Sequence, residues 1–102
     1  MLAFQKAFPH GRIFQRHVGL FYTVKKTPVR INQPGMADLW ALVPHDGKCF
    51  HFEFEVKTGS GRQSKEQKNW EDTVKKLNAH YLIVRDVETA VKNLVSIIYD
   101  SI

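Results

Sequence analysis

Several absences narrow what this sequence can be. Cys49 is the only cysteine among 102 residues, so an internal disulfide is excluded and the chain fits a reducing compartment. No apolar run approaches the roughly 20 residues of a membrane span, and the first residues lack the apolar core of a signal peptide. Linkers, internal repeats and low-complexity stretches are also missing. We therefore expect one cytoplasmic domain over residues 1–102, with no membrane partner.

Negative charge is missing from the first third of the chain. Fifteen Lys and Arg face ten Asp and Glu, which gives a formal net charge of +5, and residues 1–37 precede the first carboxylate, Asp38. A segment of one sign attracts polyanions, so we expect contacts with nucleic-acid phosphates there; an ordinary solvated basic surface is the alternative. The cations of this segment are Lys6, Arg12, Arg16, Lys25, Lys26 and Arg30.

Hydrophobic periodicity predicts strands and helices in alternation. Residues 50–57 alternate apolar and polar side chains, which indicates a strand with one apolar and one polar face. Ser64 followed by Gln67 is a capping box, which predicts the start of a helix. Ile13–Thr23 is rich in β-branched and aromatic residues and predicts a strand with a kink at Gly19. The other predictions are a short helix over 1–7, loop or irregular strand over 25–34, strands over 38–43 and 81–85, a helix over 64–78, and a last helix capped by Asp86.

These elements predict an α/β fold with a mixed sheet flanked by helices, in the rough order α-β-β-β-α-β-α. The helix from Ser64 links two strands, and such a connection favours a parallel, right-handed crossover beside an antiparallel meander.

Two carboxylates and a lysine form the candidate chemical site. Glu55 and Lys57 lie two residues apart on a predicted strand, so they project from the same face. If that strand pairs with the one beginning at Asp38, the two carboxylates meet at one end of the pair. Converging carboxylates bind a hard cation such as Mg²⁺, which activates water toward a phosphodiester, and a nearby ammonium offsets transition-state charge. The alternative is a cross-strand charge pair on a solvated face.

Four segments carry a family resemblance. Gly35–Leu39, Phe54–Gly59, Gly61–Ser64 and Gln67–Trp70 together resemble the virus-type replication-repair nuclease (VRR-NUC) domain of the PD-(D/E)XK phosphodiesterase superfamily. The resemblance covers about Asn32–Arg85. In its short length the chain is similar to the stand-alone, phage-type members of the family. It implies a restriction-endonuclease-like core and a deoxyribonuclease that depends on Mg²⁺ or Mn²⁺, acts on Holliday-junction or flap-like DNA, and forms a homodimer.

The resemblance also implies a role for each matching residue. Asp38 and Glu55 would be metal ligands, and the main-chain carbonyl of Val56 would complete the protein's share of the shell. Lys57 would be the catalytic lysine. Gln67 would lie beside the active site.

One position departs from the family pattern. Family members carry a glutamate on the N-terminal helix, whereas this chain has no acid there and Gln5 is the nearest stand-in. Glu53 shares the polar strand face with the candidate site and is an alternative third acid, although a solvated strand glutamate is the commoner role. The number of bound metal ions is therefore left open.

The glycine-rich loop at residues 59–62 is the last candidate contact. It lacks the Gly-Lys-Ser/Thr ending of a nucleotide P-loop, so no nucleotide cofactor is expected. Its amides and Arg62 are expected to touch a DNA phosphate; a simple turn is the alternative.

Two other functions remain open from the sequence. The missing acid allows a nuclease-fold DNA-binding or interaction module that has lost turnover. A small RNA-binding protein that presents a charged strand face is the third reading, although that face lacks the aromatic residues of a stacking surface.

Overall fold

The computed structural model describes residues 2–100, which form three helices and six strands. The elements are α1 Leu2–Ala7, β1 Arg12–Gln15, β2 Gly19–Tyr22, β3 Pro28–Ile31, β4 Leu39–His45, β5 Lys48–Val56, α2 Lys65–Lys76, β6 His80–Val84 and α3 Val87–Asp100.

A four-stranded sheet organises the fold, with strands in the order β1-β4-β5-β6. β1 pairs antiparallel with β4, and β4 pairs antiparallel with β5. β5 pairs parallel with β6 after the chain has passed through α2. The predicted α/β class, with a mixed sheet and helices, is confirmed.

The prediction of one strand over Ile13–Thr23 is wrong. That segment forms two strands, β1 in the four-stranded sheet and β2 in a separate hairpin with β3. The chain leaves the first sheet after Gln15 and enters the second at Gly19, whose φ of +152° is in a region that glycine adopts easily. Pro28 begins β3, where a proline costs no ladder hydrogen bond inside the strand.

Helices α1 and α3 cover the apolar face of the sheet. Phe52 and Phe54 of β5 are almost fully buried there, in one cluster with Phe4 of α1 and with Leu94 and Ile98 of α3. Burial of aromatic and branched apolar side chains is the main stabilising contribution to such a core.

Helix α2 covers the opposite, polar face of β5. Glu53 and Glu55 project from that face, yet they are only 1% and 2% exposed. The alternative of a solvated strand face is therefore contradicted. A buried carboxylate is costly unless it is paired, so each of these two glutamates needs an explanation.

Both predicted helix caps are present. The Ser64 hydroxyl accepts a hydrogen bond from the Gln67 N–H at 3.2 Å, and the Gln67 side chain accepts from the Ser64 N–H at 2.9 Å, so the capping box is confirmed. Asp86 accepts a hydrogen bond from the Thr89 N–H at 2.8 Å at the start of α3. Within residues 2–100, no helix has the length and apolar character to cross a membrane.

Candidate metal site and nucleic-acid interface

The pairing of β4 with β5 brings Asp38 beside Glu55. Asp38 directly precedes β4, and Leu39 lies opposite Phe54, so the Asp38 side chain reaches the end of β5. Its Oδ2 accepts a long hydrogen bond, 3.4 Å, from the Val56 N–H. The two carboxylates therefore share one end of the strand pair.

Gln67 connects the lysine to the buried glutamate. Lys57 Nζ donates to Gln67 Oε1 at 2.8 Å, and Gln67 Nε2 donates to Glu55 Oε1 at 2.7 Å. Lys57 Nζ lies 3.8 Å from the same Glu55 oxygen. Because Gln67 Oε1 also accepts from the Ser64 N–H of the capping box, the amide is held in one orientation from three sides.

A close backbone approach holds the Asp38 loop against α2. Gly35 has a φ of +86°, and a Cβ on it would lie 2.4 Å from the backbone carbonyl of Glu66. Only glycine allows this approach. The loop that carries Asp38 thus packs on the first turn of the helix that carries Gln67.

Glu55 is left with an unsatisfied oxygen. Its Oε1 accepts from Gln67, whereas its Oε2 is buried and has no hydrogen-bond partner among the described residues. Burial and, next, the negative charge of Asp38 raise the pKa of Glu55 from 4.5 to about 7, although Lys57 acts in the opposite direction. The two carboxylates are therefore close enough to repel one another.

The chemistry of this donor set fits a hard divalent cation. A buried carboxylate oxygen without a partner, beside a second carboxylate, is the arrangement that such an ion would satisfy. Within residues 2–100, no group of three or more His, Cys, Asp or Glu side chains is placed to hold a metal. Since Mg²⁺ is commonly held by one or two carboxylates plus waters and substrate oxygens, the pair Asp38 and Glu55 suffices for it. A ligand role for the Val56 carbonyl stays a prediction.

A cleft of about 550 Å³ opens beside Asp38 and Gln67. One wall comes from the segment that leads into β2 and from β2 itself, and the other comes from the Asp38 loop and the start of α2. Its lining includes His17, Val18, Phe21, Asp38, Ser64 and Gln67. A polymer lying in this cleft would pass over Asp38 and Gln67.

Arg16 makes its contacts inside the protein, although its place in a basic segment predicts a phosphate contact. Its guanidinium forms an ion pair with Glu53 and lies 5.9 Å and 5.8 Å from the ring centroids of Trp40 and Trp70. Glu53 also accepts hydrogen bonds from the Trp70 indole and His51. Burial alone would raise the pKa of Glu53, but these hydrogen bonds lower it overall. Both residues are thereby accounted for, so we leave Arg16 out of the DNA contacts and Glu53 out of the candidate ligands.

The other predicted phosphate contacts lie on the surface. Lys25 and Lys26 occupy the turn between β2 and β3, and Arg30 lies on β3. Arg12 is exposed and donates to the Gly11 carbonyl at 2.8 Å. Arg62 is exposed in the loop between β5 and α2.

Arg85 is a positioning residue that sequence reasoning missed. It donates to the Gly59 and Gly61 carbonyls, at 2.6 and 2.8 Å, and so holds the loop that carries Arg62. Its position directly after β6 could have indicated this role. Because β5 and β6 are parallel, their carboxyl ends lie at the same edge of the sheet, so Arg85 lies near the loop that follows β5. Gln5, the stand-in for the missing acid, donates to the Gly11 carbonyl at 3.3 Å.

The pKa of Glu55 predicts an unusual pH dependence of stability without metal. An acid with a raised folded-state pKa favours folding below its unfolded-state pKa, and that contribution is lost as pH rises through the folded-state value. In EDTA, we expect the free energy of unfolding to fall by on the order of 2 kcal/mol between about pH 5 and pH 7.5. Urea denaturation across this range should show the slope in the native protein and lose most of it in Glu55→Gln. Glu88→Gln, on the surface of α3, should keep it; equal slopes in native and Glu55→Gln proteins would contradict the burial argument.

Comparisons with protein-family models, curated proteins and solved structures find no match to this chain.

Proposed function

We propose that this protein is a divalent-metal-dependent DNA endonuclease that hydrolyses phosphodiester bonds. The observation that carries the proposal is the Asp38–Glu55 pair, in which a buried carboxylate oxygen has no hydrogen-bond partner and an ordered lysine lies within 4 Å of the same carboxylate. A solvated surface ion pair would not leave a buried carboxylate oxygen without a hydrogen-bond partner.

Each residue of the site has a distinct role in this proposal. Asp38 and Glu55 would hold Mg²⁺ or Mn²⁺, which when bound polarises the scissile phosphate and lowers the pKa of a water. Lys57 presents its ammonium to the attacking water and to the charge that develops on the phosphate. Gln67 orients that ammonium and keeps Glu55 Oε1 in place.

The exposed cations of the chain support a phosphate-rich substrate. The exposed cations of the first third of the chain and Arg62 supply contacts to the DNA backbone, which position a strand without reading its sequence. The resemblance to VRR-NUC domains agrees with this chemistry, and we extend it to a preference for branched DNA and to a homodimer, whose two sites would suit a two-fold-symmetric junction.

Metal binding gives the most direct test. Calorimetry with Mn²⁺ should detect binding to the native protein, and Asp38→Asn and Glu55→Gln should each weaken it by at least about tenfold. Asp46→Asn is the matched control, because Asp46 is an exposed acid in the turn between β4 and β5. Four-way and flapped DNA should be cut in Mg²⁺ or Mn²⁺ and remain intact in EDTA. Cleavage that survives Asp38→Asn and Glu55→Gln would refute the assignment.

A non-cleaving DNA-binding module is the second candidate. The observation in its favour is that only two carboxylates, rather than three, converge among the described residues. This module would bind DNA but release no product in any metal. Loss of DNA binding in the Lys25→Ala/Lys26→Ala protein, with no cleavage by the native protein, would identify it.

A further inference from the structure

The β2–β3 hairpin stands apart from the main sheet and carries an exposed apolar surface. Its two strands pair with each other and, among the described residues, with no other strand. The side chains of residues 20–31 are all exposed. Apolar surface of this kind on a small protein commonly marks an interaction site. The large apolar members are Leu20, Phe21, Tyr22, Val24, Val29 and Ile31.

The strand register separates the hairpin into two different faces. Phe21 lies opposite Val29, and Ile31 lies opposite Gly19, so these side chains project from one apolar face. Tyr22, the next residue along β2, projects from the other face. Phe21 also lines the cleft that Asp38 and Gln67 line. The apolar face is therefore the one turned toward the candidate metal site.

Charge indicates what covers this face. The hairpin carries Lys25, Lys26 and Arg30, and no acid precedes Asp38. Two copies of such an arm would repel each other, whereas a polyanion would be attracted. A phenylalanine ring, 44% exposed, adds a flat apolar surface inside the same cleft. Polyanions whose monomers carry flat aromatic groups are nucleic acids, and aromatic side chains stack on their bases.

Whether a base is paired decides whether its face is free to stack on a protein side chain. Bases within a duplex already stack on their neighbours, so a side chain that approaches from the groove meets only their edges. Unpaired bases expose their faces and stack on protein aromatics. Phe21 therefore favours a strand whose bases are unpaired near the cleft.

We propose that the β2–β3 hairpin is a substrate-recognition arm, in which Phe21 stacks on an unpaired base of the strand that lies in the cleft beside Asp38. Lys25 and Lys26 at its tip contact the backbone of the same strand. This inference rests on the proposed nuclease function and specifies its substrate as DNA with a single-stranded segment beside a duplex, in preference to fully paired linear DNA.

The test measures binding in EDTA, so that cleavage does not enter. Two DNAs of equal length are compared, a duplex with a single-stranded arm that carries 2-aminopurine at its first unpaired position and a fully paired duplex. In the native protein, stacking of Phe21 on the 2-aminopurine base should quench its fluorescence. Phe21→Ala should abolish this quenching and weaken binding of the armed DNA by about tenfold. Binding of the paired DNA should change by less than twofold. Phe21→Leu should behave like Phe21→Ala, because it keeps apolar bulk and loses the ring, and Phe21→Trp should retain both signals. Tyr22→Ala, on the opposite face of the same hairpin, is the matched control.

Each alternative outcome is separable. Unchanged armed-DNA binding and quenching in Phe21→Ala and Phe21→Leu, while the native protein still cuts DNA with metal, would overturn the arm and leave the nuclease standing. Equal losses on both DNAs, or equal losses in Tyr22→Ala, would also overturn it. A native dimer that becomes monomeric in Phe21→Ala, by light scattering, would make the face a self-association surface instead. Failure of the native protein to bind either DNA in EDTA would overturn the arm, and cleavage in Mg²⁺ or Mn²⁺ would decide the nuclease separately. Should Phe21→Ala unfold, Phe21→Leu and Phe21→Trp decide.

Discussion

Replacement of Lys57 by methionine should lower kcat for DNA cleavage by about 10²–10³-fold, as expected when one charged donor is removed from a transition state. Methionine keeps much of the length and bulk of the lysine stem, so packing beside Gln67 is preserved. Lys57 contacts Gln67 and lies near Glu55, but it is a cation and therefore no metal ligand. Mn²⁺ affinity should accordingly stay within a few-fold of the native value or become tighter. Single-turnover cleavage together with Mn²⁺ calorimetry separates the two effects.

Lys92→Met is the matched control for this change. Lys92 Nζ lies 3.8 Å from a Glu88 oxygen, the same separation as in the Lys57–Glu55 pair, but both partners are exposed on α3. An exposed pair of this kind contributes little, so its loss should alter cleavage by less than about twofold. A Lys57→Met protein as active as Lys92→Met would remove Lys57 from the mechanism.

Loss of the Arg16 guanidinium should be the largest single cost to stability outside the apolar core. Arg16→Met leaves Glu53 charged beneath α2, where Trp70 and His51 remain its partners. Removal of one member of a buried ion pair typically costs about 3–5 kcal/mol, a large part of the total stability of a domain. The arginine side chain is 9% exposed and the glutamate 1%, so solvent offers little compensation. Urea denaturation should give a loss of about 3 kcal/mol in Arg16→Met.

A double variant distinguishes the unpaired charge from lost packing. Arg16→Met/Glu53→Gln removes both charges, and we expect it to recover more than half of the stability lost in Arg16→Met. Arg12→Met, four residues earlier and exposed, should cost less than about 0.5 kcal/mol. If Arg16→Met and Arg12→Met were equally stable, the pair with Glu53 would have no structural importance.

Local signals in the sequence predicted much of the fold. The alternation over residues 50–57 located β5, and the Ser64–Gln67 pattern located the start of α2. Both signals depend on neighbours in the chain, so no tertiary information was needed. The break between β1 and β2 escaped prediction because β propensity is high throughout Ile13–Thr23, and propensity does not distinguish one long strand from two short ones in different sheets.

The candidate site was only partly predictable. Strand geometry placed Glu55 and Lys57 on one face, and a pairing of adjacent strands was enough to bring Asp38 near them. The burial of that polar face was not predictable from alternation, which reports which side chains share a face and not what covers it. The Arg16–Glu53 pair joins residues 37 positions apart, so no local sequence pattern predicts it. An arginine in a basic segment therefore pointed to a phosphate contact when its partner lay inside the protein.

Gln67 connects the first turn of α2 to Lys57 and Glu55 through hydrogen bonds. The same carbonyl oxygen that closes the helix end also receives the Lys57 ammonium. Fraying of that turn would release the lysine and the Glu55 oxygen together, so under the proposed function local order and catalytic competence would follow one equilibrium. Slow hydrogen exchange at the Ser64 and Gln67 amides would then report the fraction of molecules in which Lys57 and Glu55 are held in place.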